Sequence, residues 1–252
     1  MNLSFSILSN QASQWILAFY GYGQDANVFK PLAEKIKSKY NILVIDLPYQ
    51  DVTKPIDKNQ FKSFIEDIMN TYKIKEVNGI SYSMGSRFNL LLGECLPDKL
   101  KTMILMAPDG IKIRAWNRFA SSTIIGNWIY RYLVKSENAY LNFITILYKI
   151  KLMPKSMYAF SKWHMRDIAS RKKVYNSWLN MKKLIPNIKT IHKQKISHPF
   201  EMIAYFGKHD HIIKEASMKK LAKKIPSCKI VLLNKGHNLL DKELFDDISL
   251  HL

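Results

Sequence analysis

The chain has 252 residues, 47% of them hydrophobic, so one large α/β domain or two small ones can form around a sizeable core. Its formal net charge is +19, and residues 111–196 hold 18 Lys or Arg against two acids, a net +16 that leaves +3 for the other 166 residues. Two cysteines, Cys95 and Cys228, are too few for a disulfide scaffold and lack the spacing of metal ligands.

The N-terminus and the apolar stretches argue against export and membrane insertion. Residues 1–10 have no basic region and no long apolar run, so a secretory signal is not expected. Residues 119–130 form an apolar stretch that is too short to span a bilayer. With so few cysteines, the expected compartment is a reducing cytoplasm.

Seven short apolar runs are predicted to be buried strands: residues 3–8, 15–20, 42–47, 76–80, 101–107, 201–206 and 229–233. Apolar residues at helical spacing predict amphipathic helices within residues 29–40, 61–72, 88–95 and 216–225. Strands that alternate with helices predict an α/β fold with a mostly parallel central sheet flanked by helices.

The alternation stops near Asp109 and resumes near Pro199. The interval is predicted to be all-helical, and it holds the positive charge and 13 aromatic residues. The predicted architecture is a discontinuous core, residues 1–110 and 197–252, with a basic, aromatic-rich helical insertion, residues 111–196, after the strand at 101–107.

Residues 76–87, "EVNGISYSMGSR", place a serine where a predicted strand becomes a helix. A serine hydroxyl is a poor nucleophile unless a base takes its proton, and it must also project from the fold. A sharp strand-to-helix turn projects it, provided that the residues two positions before and after Ser83 are small, as Ser81 and Gly85 are. The helix that begins near Met84 would aim its free N–H groups at developing negative charge.

This run resembles the nucleophile motif G-x-S-x-G of the α/β-hydrolase superfamily, with Ser81 in place of the first glycine. The resemblance implies an acid and then a histidine further along the chain. Asp210 in "FGKHDHII" and His237 in "LNKGHNLL" match them, and each follows a predicted strand. The residues alone leave two alternatives open, a helix N-cap for Asp210 and an ordinary surface position for His237.

The superfamily also implies an oxyanion hole, whose loop matches residues 19–29, "FYGYGQDANVF". The family has a His-Gly pair here, and this chain has Tyr20-Gly21. Because such a hole uses backbone groups, the N–H groups of Tyr22 and Met84 are the candidates. The sequence leaves open how the loop is held without the histidine.

Arg87 lies one helical turn after Ser83 and invites two interpretations, a bidentate clamp on a substrate carboxylate or a salt bridge to a neighbouring loop. "YSMGSR" also resembles the MenH-type lyases of the menaquinone pathway, in which this run supplies nucleophile, oxyanion donor and substrate-binding arginine. The matching residues are Tyr82, Ser83, Gly85, Arg87 and Asn238. Arg87, Tyr82 and Tyr20 are therefore candidate substrate-binding residues.

The other polar candidates are weaker. Asp109 follows the strand at 101–107, where some relatives place the acid, but "PDG" is typical of a turn. His209 and His211 flank Asp210 without a cluster of further ligands, so no metal site is predicted. No cofactor is required by the implied chemistry.

In this superfamily such an insertion acts as a cap, and a cationic cap would concentrate anionic ligands. We therefore expect an ester or thioester with an anionic, partly apolar acyl group, such as an acyl-CoA or carrier-bound acyl chain. Peripheral contact with an anionic membrane surface is a further expectation. Nucleic acid is not expected, because no recognition motif accompanies the charge. The alternative is that aromatics pack the insertion and lysines solvate it.

Three functional hypotheses follow. The first is a serine hydrolase that uses Ser83, His237 and Asp210. The second is a MenH-type lyase that uses the same residues. The third is a non-catalytic binding protein on the same fold.

Overall fold

The computed structural model describes residues 3–9, 11–48, 55–111, 123–153 and 155–252, and its centre is a seven-stranded sheet. The strands are β1 (Phe5–Ser9), β2 (Gln14–Phe19), β3 (Tyr40–Ile45), β4 (Val77–Tyr82), β5 (Leu100–Met106), β6 (Glu201–Gly207) and β7 (Lys229–Leu233). Each lies within two residues of its predicted bounds. Strands β3 and β4 are buried along their whole length, as expected for apolar runs covered on both faces.

The sheet order is β1-β3-β2-β4-β5-β6-β7. Strand β1 pairs antiparallel with β3, and every other pair is parallel, so the predicted mostly parallel sheet is confirmed. The chain runs from β2 outward to β3 and then returns to the other side of β2 as β4. This reversal makes a topological switch point between β2 and β4, where open α/β sheets bind ligands beyond the carboxyl ends of the strands.

Ten α-helices lie in the described residues: α1 (Lys30–Ile36), α2 (Lys58–Thr71), α3 (Ser86–Cys95), α4 (Ile124–Lys135), α5 (Glu137–Lys149), α6 (Lys155–His164), α7 (Ile168–Asn180), α8 (Ile188–Ser197), α9 (Glu215–Lys224) and α10 (Lys242–Leu250). Several of these helices begin after a residue whose side chain caps the helix N-terminus. Asp57 accepts from the Gln60 N–H and the Gln60 side chain accepts from the Asp57 N–H, which forms a capping box before α2. Helix α3 is buried, and its Phe88 stacks on Phe19 of β2 at 6.0 Å. None of the described helices is long and apolar enough to cross a membrane.

The chain divides into two compact units. The first comprises residues 1–47, 57–112 and 184–252 and contains the sheet. The second comprises residues 48–56 and 113–183 and contains α4 to α7. Residues 112–122 and 154 of the predicted insertion lie outside the described residues.

The boundaries of the units differ from those predicted for the insertion. Helix α8, which was assigned to the insertion, packs against α3 within the first unit. Both ends of the 48–56 segment are bonded to Asn180 of the second unit. The Asn180 carbonyl accepts from the Ile56 N–H at 3.1 Å, and its Nδ2 donates to the Pro48 carbonyl at 2.9 Å. These contacts join residues far apart in sequence, so no local sequence pattern could predict them.

Candidate active site

Polar groups gather beyond the carboxyl ends of five neighbouring strands, all within the first unit. Residues 20–24 follow β2, Ser83 follows β4, Asp109 follows β5, Asp210 follows β6 and His237 follows β7. Parallel strands end at one edge of the sheet, so the topology alone brings these segments to the same place.

Ser83 lies on a strained turn between β4 and α3. Its φ is +49°, in the left-handed region that costs a residue with a Cβ about 1–2 kcal/mol. At Gly85 an added Cβ would overlap the carbonyl oxygens of Phe19 and Tyr20. The turn is therefore pressed against the end of β2, which leaves room only for glycine at position 85.

Ser81, the departure from the G-x-S-x-G pattern, belongs to a buried polar network. Its hydroxyl lies 3.2 Å from the Ser86 hydroxyl and accepts from Asn89 Nδ2 at 3.1 Å. Asn89 Nδ2 also donates to the Ile104 carbonyl at 3.1 Å. A buried hydroxyl is costly unless it is hydrogen-bonded, so these partners make a serine acceptable at this position.

Ser83, His237 and Asp210 form one hydrogen-bonded line. The Ser83 hydroxyl is 3.0 Å from His237 Nε2, and His237 Nδ1 is 2.7 Å from Asp210 Oδ2. Because a carboxylate only accepts, Nδ1 donates to it, and Nε2 is left to accept the Ser83 proton. The geometry thus has the relay needed to make the serine hydroxyl a nucleophile.

Asp210 is fixed on both of its oxygens. Its side chain is 1% exposed, and Oδ1 accepts from the N–H groups of Ile212 and Ile213 at 2.7 and 2.8 Å. The N-cap of α9 is Lys214, so Asp210 is not the cap of that helix. The backbone donors hold the carboxylate while Oδ2 faces His237.

Tyr82 supports the loop that carries His237. Its hydroxyl donates to the His237 carbonyl at 3.0 Å, and the two rings lie 5.5 Å apart. Burial raises the pKa of the Tyr82 phenol to about 12, with the Asp210 carboxylate adding to the effect, so the hydroxyl remains a donor at neutral pH. Gly207 also contacts the loop that carries His237. A Cβ added at Gly207 would overlap the Gly236 carbonyl oxygen.

Residues 20–24 are held by side chains that replace the absent histidine. The Tyr20 hydroxyl donates to Asp46 at 3.2 Å and accepts from the Leu47 N–H at 3.0 Å. The Gln24 side chain accepts from the Gly21 N–H at 2.9 Å. Gly23 has φ +78°, as the third residue of a type II turn requires. The loop that contains Tyr22 is therefore anchored to the ends of β2 and β3.

Arg87 pairs with Asp109. Arg87 Nε and Nη2 donate to Asp109 Oδ2 at 2.8 and 2.7 Å, and the Arg87 side chain is 9% exposed. The sequence left two interpretations of Arg87 open, a salt bridge to a neighbouring loop and a clamp on a substrate carboxylate. The structure contains the salt bridge. His209 lies apart from these contacts, with Nε2 2.9 Å from Asn234 Oδ1.

The sequence did not reveal Ser86, Asn89 and Gln24 as supporting residues. One signal was available for Asn89, because an amide within the otherwise apolar, buried run of residues 88–92 needs a partner. Nothing local identified Gln24, whose side chain acts on the backbone three residues earlier.

Comparisons with known proteins identify the family of the fold. A family model described as an alpha/beta hydrolase fold matches residues 14–244. A pimeloyl-[acyl-carrier protein] methyl ester esterase from Legionella pneumophila (strain Corby) is 24% identical over 228 residues, which cover 89% of this chain and 87% of that protein.

Solved structures share the fold. MenH from S. aureus is similar with a TM-score of 0.68 and 18% identity, over 98% of this chain and 96% of that one. An enol-lactonase from Burkholderia xenovorans LB400 is similar with a TM-score of 0.63 and 17% identity, over 99% and 95% of the two chains.

Proposed function

The chain belongs to the alpha/beta hydrolase fold family, and from that premise we propose that it is a serine hydrolase that cleaves a carboxylic ester or thioester. The observation that carries the proposal is the line from the Ser83 hydroxyl through the His237 ring to the Asp210 carboxylate. The methyl ester esterase among the relatives supports the same reaction class.

In the proposed mechanism Ser83 Oγ attacks the carbonyl carbon while His237 Nε2 takes its proton. Asp210 holds the imidazole in the reactive tautomer and stabilises the imidazolium. The oxyanion of the tetrahedral intermediate accepts from the N–H groups of Tyr22 and Met84. His237 then protonates the departing alcohol or thiol, which leaves the acyl group esterified to Ser83 Oγ. Water attacks this acyl-enzyme while His237 takes its proton, and the acid is released as His237 returns the proton to Ser83 Oγ.

The contacts of Tyr20, Tyr82 and Arg87 support positioning roles for these residues rather than direct substrate binding. Tyr20 anchors the oxyanion loop, Tyr82 braces the His237 loop, and Arg87 is engaged by Asp109. For the substrate we propose an acyl group with an apolar part, either free or attached to a carrier, because the relative from Legionella pneumophila is an esterase of a carrier-bound methyl ester. A cationic cap formed by the insertion would favour an anionic substrate.

A MenH-type lyase is the second candidate. The run "YSMGSR" and the fold shared with MenH favour it. In that reaction the same residues would abstract a proton and expel a carboxylate. The Arg87–Asp109 pair weighs against it, since a substrate carboxylate would have to compete with Asp109 for the guanidinium.

Labelling and turnover distinguish the hypotheses. A fluorophosphonate probe should label the native protein and not the Ser83→Ala variant, and the protein should hydrolyse short p-nitrophenyl esters. His237→Ala should lower kcat by at least about 10⁴-fold, whereas His211→Ala, an exposed neighbour of Asp210, should leave it unchanged. Labelling without ester hydrolysis would favour the lyase. Folded native protein that resists the probe would leave only the binding-protein hypothesis.

A further inference from the structure

Residues 146–152, which end α5 and lead towards α6, expose four large apolar side chains within seven residues. The exposed fractions are 56% for Ile146, 37% for Tyr148, 56% for Ile150 and 73% for Leu152. Large aliphatic side chains are expensive to leave in water, at about 25 cal/mol per Å² of apolar surface. Such a cluster indicates that something covers it.

The segment 146–152, here called the α5 turn, is a hydrogen-bonded helix end. The N–H groups of Leu152 and Met153 both donate to the Leu147 carbonyl, at 2.9 and 3.0 Å. Lys151 has φ +59° and its N–H donates to the Tyr148 carbonyl at 3.0 Å. These bonds fix the backbone, so the exposure of the apolar side chains belongs to ordered structure.

Positive charge surrounds the exposed apolar groups. Lys149 and Lys151 alternate with Ile150 and Leu152 and are themselves exposed. Residues 138–166 contain five Lys or Arg and no Asp or Glu. An anionic partner is therefore the electrostatic match for this surface.

Helix α6 extends the same chemistry. Among the side chains of α6 that the structure describes, Lys155, Ala159, Lys162 and Trp163 are exposed and form its exposed face, and the exposed Arg166 follows the end of the helix. Trp163 is 68% exposed, with the Arg166 guanidinium 5.3 Å from its ring. The rings of Tyr148 and Tyr158 stack at 4.7 Å, which joins the α5 turn to the neighbouring helix.

We propose that the α5 turn and the exposed face of α6 dock on an anionic lipid bilayer. Lysines that alternate with aliphatic residues suit this partner, because the aliphatic side chains enter the acyl layer while the ammonium groups reach the headgroups. Trp163 has the amphipathic ring that is enriched at membrane interfaces. The centre of a protein–protein interface is instead depleted of lysine. This docking is separate from hydrolysis and does not depend on the proposed function.

Vesicle sedimentation tests the proposal. In about 0.1 M salt the native protein should sediment with phosphatidylcholine vesicles that contain about one third phosphatidylglycerol, and not with phosphatidylcholine alone. The double variant Lys149→Gln/Lys151→Gln should partition about 25-fold more weakly, since each lysine contributes about fivefold. The variant Ile150→Ser/Leu152→Ser should partition at least about tenfold more weakly.

Matched variants in the first unit control for charge and hydrophobicity in general. Lys189→Gln/Lys193→Gln removes two exposed lysines from α8, and Ile196→Ser/Leu250→Ser removes side chains that are 67% and 81% exposed. Both should bind vesicles within about twofold of the native protein. Ser83→Ala should bind as the native protein does, which separates this test from that of catalysis.

Three outcomes would overturn the proposal. One is native protein that stays in solution with anionic vesicles, and another is equal loss of binding in the turn variants and the control variants. The third is binding of an acidic acyl carrier protein through Lys149 and Lys151 without vesicle binding, which would assign the surface to a protein partner.

Discussion

Asp109 makes two kinds of contact with the turn that carries Ser83. Its backbone N–H donates to the Ser83 carbonyl at 3.1 Å, and its carboxylate accepts two bonds from Arg87 on the first turn of α3. The adjacent Gly110 has φ +100°, and a Cβ there would lie 3.0 Å from the Arg87 side chain. The loop after β5 thus braces the turn that carries the nucleophile.

We expect Asp109→Asn to impair catalysis by displacing the turn that carries Ser83. Arg87 would lose its counter-ion while only 8% exposed, which should lower the free energy of unfolding by about 1–3 kcal/mol. A small displacement of Ser83 Oγ should reduce kcat about tenfold or more, with little change in KM, for neutral and anionic esters alike. Steady-state kinetics on a matched pair of p-nitrophenyl esters measures this.

Asp98→Asn is the control, because Asp98 is an exposed carboxylate paired with the neighbouring Lys99. It should leave kcat and KM unchanged. If Asp109→Asn or Arg87→Gln altered only the KM of the anionic ester, Arg87 would be a substrate clamp and the positioning role would be wrong.

At the scale of elements, the β4–α3 turn depends on its approach to β2. The carbonyl oxygens of Phe19 and Tyr20 occupy the space that a side chain at position 85 would need. Gly23, by contrast, has nothing within 4 Å of an added Cβ, and only its positive φ favours glycine.

This contrast gives a paired prediction. Gly85→Ala should lower the free energy of unfolding by about 3 kcal/mol or more and abolish labelling of Ser83, because backbone atoms must move. Gly23→Ala should cost about 1–2 kcal/mol, the strain of a left-handed residue alone. Urea denaturation and probe labelling of both variants provide the comparison, and equal costs would contradict the steric explanation.

Elements that consist of local patterns were predictable from the sequence. The seven strands are apolar runs bounded by turn residues, and the parallel direction of β2 to β7 follows from the helices between them. The positions of Ser83, Asp210 and His237 could be inferred because each lies in the segment that follows a strand. Their separations could not, since they depend on the register of strands far apart in sequence.

Arg171 is a buried cation whose structural role the amino-acid composition could not predict. In the sequence it is one of 18 basic residues in a region assigned to solvent or an anionic ligand. In the structure it is 2% exposed, and its guanidinium donates to the carbonyls of Val134, Met165 and Arg166 at 2.9, 3.1 and 2.8 Å. It joins the end of α4 to the loop before α7, so its role is structural. No periodicity distinguishes it from the exposed Lys172 beside it.

At the scale of the whole molecule, the distribution of charge should govern stability. Residues 111–196 contain 18 Lys or Arg and two acids, for a net charge of +16. At most a few of these cations can therefore pair with an acid of their own region. Like charges in a compact region repel one another, and unfolding relieves the repulsion. The repulsion is screened within about 8 Å at physiological ionic strength and within about 30 Å at 0.01 M.

The free energy of unfolding should therefore rise by about 1 kcal/mol or more between 0.02 and 0.3 M sodium chloride. Lys172→Glu/Lys183→Glu, two exposed positions of the second unit, should flatten this dependence, because the variant lowers the net charge of the crowded region by four units. Lys223→Glu/Lys229→Glu, an equal change at exposed positions of the first unit, should flatten it less, because both lysines lie outside residues 111–196, in the part of the chain that carries only +3. Urea titrations at several salt concentrations decide between them. A slope that is absent, or that both variants change equally, would mean that the cations are too far apart in the folded protein to repel one another appreciably.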